Sequence, residues 1–206
     1  MTTIVTIVEG NGEVAVLPVL LRKLVHWEEH YVEFPRPKNA HGRNNLIKPG
    51  GIEHFLELAR REQQCNGVLV LIDADEDCAK KLALELASRV HNSKLPFPVA
   101  IVCAKCEYEA WFLASLATIA GHADIPSGTV YQGDVEDKRG VKEWLTNQMP
   151  AGKIYKETQH QSIMTDLLDI ELVQQSSRSF RRLQHALEEL LAGTPPVTPD
   201  CNQPSP

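Results

Sequence analysis

The sequence lacks a hydrophobic run long enough to cross a membrane, and its first residues lack the basic segment that is typical of a secretory leader. No apolar stretch in the 206 residues approaches the length of about 18 residues that a membrane span requires. The first residues, Met1 to Ile4, carry no basic side chain and run directly into an apolar segment. We therefore expect a cytoplasmic protein that has no membrane partner.

Cysteine patterns and familiar hydrolase motifs are also sparse. The five cysteines are an odd number without framework spacing, so we expect reduced thiols. The Cys103-Ala104-Lys105-Cys106 segment lacks the second cysteine pair that a structural zinc site would need. The eight histidines form no metalloprotease motif, and no G-x-S-x-G elbow supports serine hydrolase chemistry.

Basic residues are outnumbered by acidic ones. The chain has 21 Lys and Arg against 27 Asp and Glu, which gives a formal net charge of -6. This balance counts against broad electrostatic capture of nucleic acid. It does not exclude nucleic acid as a partner, because a metal site concentrates acidic residues whose charge bound cations would offset.

The hydrophobic pattern alternates short strands with helices through the first half of the chain. Predicted strands cover residues 4–8, 31–34, 67–72 and 97–103, and predicted helices cover 14–30, 52–63, 78–91 and 107–119. The strands 4–8 and 67–72 are apolar on both faces, as buried parallel strands are, whereas 31–34 alternates. The alternation of strands with helices predicts an α/β fold with a doubly wound parallel sheet. Pro96 and Pro98 indicate that the last strand begins late or lies at an edge.

The remaining segments are predicted as loops and as a small C-terminal helical section. Loops are expected at 38–51 and 121–140, and helices at 141–148, 162–168 and 179–191. We expect an α/β core over 1–120, a loop and helical extension packed on it over 121–192, and a disordered, proline-rich tail over 193–206.

A glycine-rich acidic turn follows the first predicted strand. Glu9 ends the strand and Glu13 begins the next helix, with Gly10 and Gly12 between them. These glycines would allow a tight turn and leave backbone N–H groups free for a phosphate. Alternatively, Glu13 only complements the helix dipole and Glu9 is a solvated strand end.

A second acidic pair, Asp73 and Asp75, follows the predicted strand 67–72. Residues two apart in extended backbone point the same way, so both carboxylates could face one crevice. The carboxyl ends of parallel strands meet where open α/β sheets bind ligands, so Glu9 is expected nearby. Several carboxylates cannot all stay ionised there without a cation, which predicts a Mg²⁺ or Mn²⁺ site. The alternative is a solvated acidic turn.

Further candidates come from later segments. Glu107 and Glu109 follow the predicted strand 97–103 and would be additional ligands, or simply favourable charge at a helix start. Lys153 and Lys156 could offset charge on a phosphate transition state, although most lysines are solvated.

Three arginines are candidate phosphate contacts. Arg43 lies in a basic polar stretch before the second acidic pair, whereas Arg178 and Arg181 lie in a second basic group near the C-terminus. The alternative for Arg178 and Arg181 is a solvated helix face.

The acidic motifs resemble a known signature. Val8-Glu9-Gly10-Asn11-Gly12-Glu13 and Asp73-Ala74-Asp75 look like the Toprim motif, which topoisomerases, primases, ribonuclease M5-type enzymes and OLD-type (overcoming lysogenisation defect) nucleases share. Glu107-Tyr108-Glu109-Ala110-Trp111-Phe112 and Ser179-Phe180-Arg181-Arg182 resemble the bacterial family catalogued as domain of unknown function 4276. This second resemblance covers nearly the whole chain up to about Leu191.

The resemblance implies a Rossmann-like Toprim sheet flanked by helices, with Mg²⁺ on its carboxylates. The implied ligands of the first metal are Glu9, Asp73 and Asp75. A second site would take Glu107 or Glu109 and be completed by Lys153 or Lys156.

We therefore predict a Mg²⁺-dependent Toprim-type nuclease that hydrolyses phosphodiester bonds in DNA or RNA. The predicted catalytic residues are Glu9, Glu13, Glu109 and Lys156; the predicted metal ligands are Glu9, Asp73, Asp75 and Glu107; the predicted substrate contacts are Gly10, Gly12, Arg43, Lys153, Arg178 and Arg181. Similarity to stand-alone Toprim-like proteins encoded beside ATPases implies an ATPase partner in bacterial phage defence. A homodimer is plausible for such a small domain.

Two other functions remain open at this point. The chain could be a non-catalytic regulatory or binding subunit of an ATPase complex, which the acidic net charge favours. It could also act on small phosphorylated substrates as a phosphatase- or nucleotidyl-type enzyme. That interpretation leaves Glu9 and Glu13 without a role.

Overall fold

The computed structural model describes residues 2–25 and 31–193, and these form an α/β fold around one parallel sheet. The strands are β1 (Thr2–Val8), β2 (Val32–Glu33), β3 (Lys38–Asn39), β4 (Cys65–Asp73) and β5 (Val99–Ala104). Their order is β2-β1-β4-β5, and every pairing is parallel. The predicted parallel α/β fold is confirmed.

Strands β2 and β3 form one interrupted edge of the sheet. Val32 lies opposite Thr2 at the start of β1, whereas Asn39 lies opposite Val8 at its end. At the other edge, β5 begins at Val99, directly after Pro98, so it both begins late and lies at an edge as expected.

The described residues also form ten α-helices and one π-helical turn. The helices are α1 (Asn11–Leu24), α2 (Arg43–Ile47), α3 (Gly51–Arg60), α4 (Ala79–Asn92), α5 (Ala110–Ala114), α6 (Leu116–Ile119), α7 (Val141–Gln148), α8 (Ser162–Asp166), α9 (Ile170–Ser176) and α10 (Arg178–Leu191). The π-helical turn covers Glu157–Gln161 and leads directly into α8.

Helices cover both faces of the sheet, because side chains alternate between its two sides. Ile4 and Val8 of β1 belong to a core that includes apolar residues of α1 and α10. Val5 and Ile7 belong to the opposite core, which is closed by α3 and α4. The C-terminal helical part therefore supplies one face of the sheet through α10.

Several predicted boundaries are wrong. The segment 38–51 is not a loop, since it contains β3 and α2. Strand β3 was not predicted because its side chains are polar, although its backbone pairs with β1. The predicted helix 107–119 is two short helices, because residues before Ala110 form a turn in which Cys106 has a φ of 60°. Helix α1 ends at Leu24, and residues 26–30 of its predicted extent lie outside the described part of the chain.

Helix α9 was not predicted, because a seven-residue helix gives almost no periodic pattern. Its start is fixed by Asp169, whose Oδ1 accepts a hydrogen bond from the Leu172 N–H at 3.2 Å. The predicted tail from residue 194 onwards lies outside the described residues. In the part of the chain that the structure covers, no helix is both long and apolar enough to span a membrane.

Candidate functional site

The carboxyl edge of the sheet brings Glu9 and Asp73 together. Glu9 directly follows β1, Asp73 ends β4, and these two strands are neighbours in the sheet. The backbone N–H of Asp73 lies 3.4 Å from Oε2 of Glu9 and donates to it. The two acidic motifs, 64 positions apart in sequence, therefore meet at one place in the fold.

The carboxylate of Asp73 is buried next to this edge. Its Oδ1 accepts a hydrogen bond of 3.0 Å from the backbone N–H of Tyr108. Burial raises the pKa of Asp73 well above its usual range, and the nearby charges of Glu109, Glu13 and Glu9 raise it further. A charged Asp73 is therefore favoured only when a cation compensates for its neighbours.

Glu9 and Glu13 belong to the same acidic cluster. Burial is the main cause that raises the pKa of Glu9, followed by the charge of Asp75, with a smaller contribution from Glu13. Oε2 of Glu13 accepts a 2.9 Å hydrogen bond from the N–H of Gly10, as in a capping box at the start of α1. Because this N–H is already bonded, it is not free for a phosphate.

The structure gives Gly12 a packing role. Gly12 is buried in the first turn of α1, and a Cβ atom there would lie 2.2 Å from Oε1 of Gln161. The missing side chain lets α1 approach the π-helical turn closely. This close approach accounts for the glycine independently of any phosphate.

Asp75 lies in a left-handed turn beyond the end of β4. Its φ is 48°, so the extended backbone that would align it with Asp73 has already ended. The guanidinium of Arg43 lies 3.6 Å from Oδ2 of Asp75, donates to the Asp73 carbonyl oxygen at 3.2 Å and also pairs with Asp77. Arg43, from α2, is thus part of the acidic edge, where it neutralises Asp75 and Asp77.

Glu109 is completely buried beside a group of polar side chains from the C-terminal half. Its Oε1 accepts hydrogen bonds from the Tyr155 hydroxyl at 2.9 Å and from Nε2 of Gln161 at 3.3 Å. Its Oε2 has no hydrogen-bond partner among the described residues. Nζ of Lys142 lies 3.8 Å from that oxygen and 2.6 Å from Oε1 of Glu157.

Burial raises the pKa of Glu109 to about 7, although the charge of Lys142 and the hydrogen bond from Tyr155 lower it. Conversely, the carboxylates of Glu109 and Glu157 hold the pKa of Lys142 above its usual range in spite of desolvation. Glu109 can therefore exchange a proton near neutral pH while a cationic group stays beside it.

The two lysines named from the sequence lie elsewhere. Nζ of Lys153 forms 3.0 Å contacts with both carboxylate oxygens of Asp124. Lys156 is exposed, and its backbone N–H donates to Nδ1 of His160 at 2.9 Å. The lysine in contact with Glu109 is Lys142, which the sequence pattern did not single out.

The remaining candidates are less closely associated with Asp73. Glu107 is half-buried, and its Oε2 has no hydrogen-bond partner within the described residues. Nη1 of Arg181 donates to the carbonyl oxygen of Gln174 at 2.5 Å, near the C-terminal end of α9. Arg178 is exposed at the first position of α10 and lines a groove beside β5.

The acidic edge is a candidate site for a divalent metal. Among residues 2–25 and 31–193, no group of three or more His, Cys, Asp or Glu side chains is arranged so that it could hold a metal ion. Mg²⁺ commonly uses only one or two carboxylates and completes its shell with water and substrate phosphate. The oxygen ligands of Glu9 and Asp73, in an acidic surrounding, fit that kind of open site.

A family model described as "Domain of unknown function (DUF4276)" matches residues 8–188. No curated protein and no solved structure matches the chain.

Proposed function

The chain belongs to the DUF4276 family, and we propose that it is a Mg²⁺-dependent phosphodiester hydrolase of Toprim type that acts on DNA or RNA. The observation that carries this proposal is the burial of Asp73 at a strand end among Glu9, Glu13 and Glu109. Such an arrangement destabilises the fold unless a cation or protons compensate for it. Proteins retain arrangements of this kind mainly where chemistry requires them.

Glu9 and Asp73 would hold the metal ion. Asp75 could join them only after releasing Arg43, which lies 3.6 Å from it. When bound, Mg²⁺ or Mn²⁺ would lower the pKa of a water nucleophile and stabilise the leaving oxygen.

Arg43 would orient the phosphate. Its guanidinium is half-buried and already faces acceptor oxygens of Asp75 and Asp77. A phosphate offers the same kind of acceptor, and a guanidinium can bind two of its oxygens at once. Arg43 would thus leave a carboxylate partner and bind the substrate phosphate instead. The metal ion would then compensate for the negative charge of the carboxylate that Arg43 leaves.

Glu109 would serve as the general base, and Lys142 would stabilise negative charge in the transition state. Glu109 is suited to accept the proton of the attacking water, because its pKa lies near the ambient pH. Lys142 lies 3.8 Å from Glu109 and would offset negative charge on the phosphate. We assign to Lys142 the role that the resemblance gave to Lys153 or Lys156.

A partner protein would help with substrate capture. The net charge of -6 makes unaided binding of nucleic acid weak. An ATPase partner in phage defence, which the Toprim-like resemblance suggests, would supply this function.

One observation favours a second function, that of a non-catalytic binding subunit. Arg43 already neutralises Asp75 and Asp77, and the described residues contain no ready-made group of three acidic or imidazole ligands. A chain that only binds an ATPase or nucleic acid would not need a group of three metal ligands.

Cleavage assays separate the two functions. Purified protein is incubated with supercoiled plasmid and with labelled single-stranded RNA, in Mg²⁺, in Mn²⁺ and in EDTA. The hydrolase nicks a substrate only with metal, Asp73→Ala abolishes nicking with the fold intact, and Asp166→Ala, which removes an exposed carboxylate on α8, changes nothing. Equal cleavage by Asp73→Ala and wild type contradicts the proposal. A folded wild type that cleaves nothing favours the binding subunit.

A further inference from the structure

Strand β5 has an open edge. The carbonyl oxygens of Pro98 and Ala104 accept hydrogen bonds from the β4 side, from the N–H groups of Val68 at 3.0 Å and Ala74 at 2.9 Å. Backbone groups alternate in direction along a strand, so the residues at 99, 101 and 103 direct their N–H and C=O groups away from β4. These outward groups belong to the last strand of the sheet, and among residues 2–25 and 31–193 this strand pairs only with β4.

A groove runs along this open edge. A cavity of about 710 Å³ is lined by β5 through Val99, Ile101 and Cys103, and by α4 through Ala79, Ala83 and Ala87. The alanines are four apart, so they lie on one side of the helix and leave room beside the strand. A second cavity of about 710 Å³ shares Ala87 and Val99 with the first, so the groove continues past the beginning of β5.

Within its six residues, β5 lacks several of the usual protections against strand pairing, although Pro98 directly precedes it and Ile101 and Cys103 are only slightly exposed. Natural edge strands are commonly short, charged, bulged or interrupted by proline. Over its six residues, β5 contains no charged residue and no proline, and its pairing with β4 has no register shift. A regular apolar edge beside a groove is the arrangement that proteins use to accept an added strand.

The carboxyl end of the groove is lined by acidic as well as basic side chains. The acidic ones are already bonded: Glu76 pairs with Arg139, Asp77 pairs with Arg43, and Glu136 accepts hydrogen bonds from the Ser177 hydroxyl and the Ser179 N–H. Two of the basic side chains are not bonded in this way. Lys80 is exposed at the start of α4, and Arg178 is exposed at the start of α10. Both line the groove, and neither forms an ion pair with any described residue. An anionic side chain entering between α4 and α10 would meet both.

We propose that this groove binds an extended segment of a partner protein, which adds as a strand to the edge of β5 and places an acidic side chain between Lys80 and Arg178. The outward backbone groups supply affinity, and the two cations select the segment. This site adjoins the acidic edge at Asp77, which lines the groove and pairs with Arg43, but strand addition at β5 does not depend on hydrolase activity.

The charges argue against a second copy of the chain as the occupant. Symmetric antiparallel pairing of two β5 strands would bring Lys80 and Arg178 towards the opposite end of the groove in the other copy. Within the described part of the chain, the lining of that end includes His91 and Lys94 and contains no acidic residue. Single-stranded nucleic acid is also disfavoured, because no described aromatic side chain lines the cavity that contains the cations, and bases would have nothing there on which to stack.

Nuclear magnetic resonance on ¹⁵N-labelled protein tests the proposal. The probe is an acetylated peptide of alternating valine and threonine with glutamate at both ends. Matched probes replace the glutamates by lysine, or carry N-methyl groups on alternate backbone nitrogens. The peptide is expected to shift the amide signals of Val99, Ile101 and Cys103 and to slow their hydrogen exchange, whereas both matched probes bind at least tenfold more weakly, as about 1.4 kcal/mol of lost pairing requires.

Charge reversal identifies the cations. The double variant Lys80→Glu/Arg178→Glu is expected to weaken binding of the glutamate peptide by about tenfold and to improve binding of the lysine peptide. The control Arg22→Glu/Arg61→Glu reverses two exposed arginines on α1 and after α3 and leaves both affinities unchanged. No binding at about 1 mM peptide, equal binding of both peptides, or shifts away from β5 overturns the proposal. Oligothymidine that protects the same amides would identify nucleic acid and overturn it as well.

Discussion

The backbone N–H of Tyr108 donates a 3.0 Å hydrogen bond to Oδ1 of Asp73. This bond joins the segment after β5 to the end of β4, and it fixes the carboxylate beside Glu9 and Glu109. This hydrogen bond thus holds Asp73 in a position where burial and the neighbouring carboxylates raise its pKa. A bound cation would offset the repulsion between these carboxylates.

Replacing Asp73 by asparagine is expected to remove the charge of this side chain while keeping its shape and its hydrogen bond. Asp73→Asn keeps an acceptor for the Tyr108 N–H and removes a charge that burial disfavours. We expect the variant to be more stable than wild type at pH 8 without metal, by on the order of 1 kcal/mol, and to lose any Mg²⁺-dependent rise in Tm. Thermal unfolding with and without Mg²⁺ measures both effects. A less stable variant that still gains stability from Mg²⁺ would contradict the assignment.

Removing Lys142 is expected to reduce catalysis. Lys142→Met keeps much of the side-chain volume but leaves Glu109 without its cationic neighbour. We expect the rate of substrate cleavage to fall by about 100-fold, the usual effect of removing one group that stabilises transition-state charge. Lys153→Met, which only breaks the contact with Asp124, serves as the matched control and keeps nearly full activity. Comparable losses in both variants would remove Lys142 from the mechanism.

The buried carboxyl of Glu109 is expected to make stability fall as pH rises. Its pKa is raised from 4.5 to about 7 in the folded protein, so the folded state binds the proton more tightly than the unfolded state. The stability of the folded state therefore decreases between about pH 4.5 and 7. Glu109→Gln keeps an acceptor for Tyr155 and should flatten this slope, although Asp73 contributes in the same direction. Urea unfolding of both proteins from pH 5 to 8 gives the free energy of unfolding as a function of pH. Equal slopes for wild type and Glu109→Gln would refute the prediction.

A side chain at position 12 is expected to disturb the contact between α1 and the π-helical turn. The Cβ of Gly12→Ala would meet Oε1 of Gln161 at 2.2 Å, so Gln161 must move in a buried site. We expect a loss of about 1–3 kcal/mol in the free energy of unfolding. Adding Gln161→Ser should recover much of this loss, which a double-mutant cycle would measure. Additive effects of the two substitutions would show that they do not interact there.

The sequence predicted the sheet and the meeting of Glu9 with Asp73, because both depend on local pattern. Apolar runs followed by acidic residues indicate strand ends, and neighbouring parallel strands bring such ends together. The orientation of Asp75 was not predictable in this way, since the strand ends at Asp73 and the next backbone turn is left-handed.

The surroundings of Glu109 depend on distant residues. Tyr155 and Gln161 lie 46 and 52 positions further along the chain, on segments that have no motif of their own. Lys142 lies in a helix whose extent was predicted correctly, but its direction toward Glu109 results from packing of that helix on the sheet. A helical pattern predicts which residues share a face and does not predict which partner that face meets.

Diffraction from crystals soaked in Mn²⁺ tests the central claim most directly, because anomalous scattering locates the metal independently of any activity. The account predicts a peak at the carboxyl edge of the sheet within coordination distance of the Glu9 and Asp73 carboxylates, and no peak there in Asp73→Asn crystals. Wild-type crystals that show no metal at these two carboxylates under saturating Mn²⁺ would contradict it.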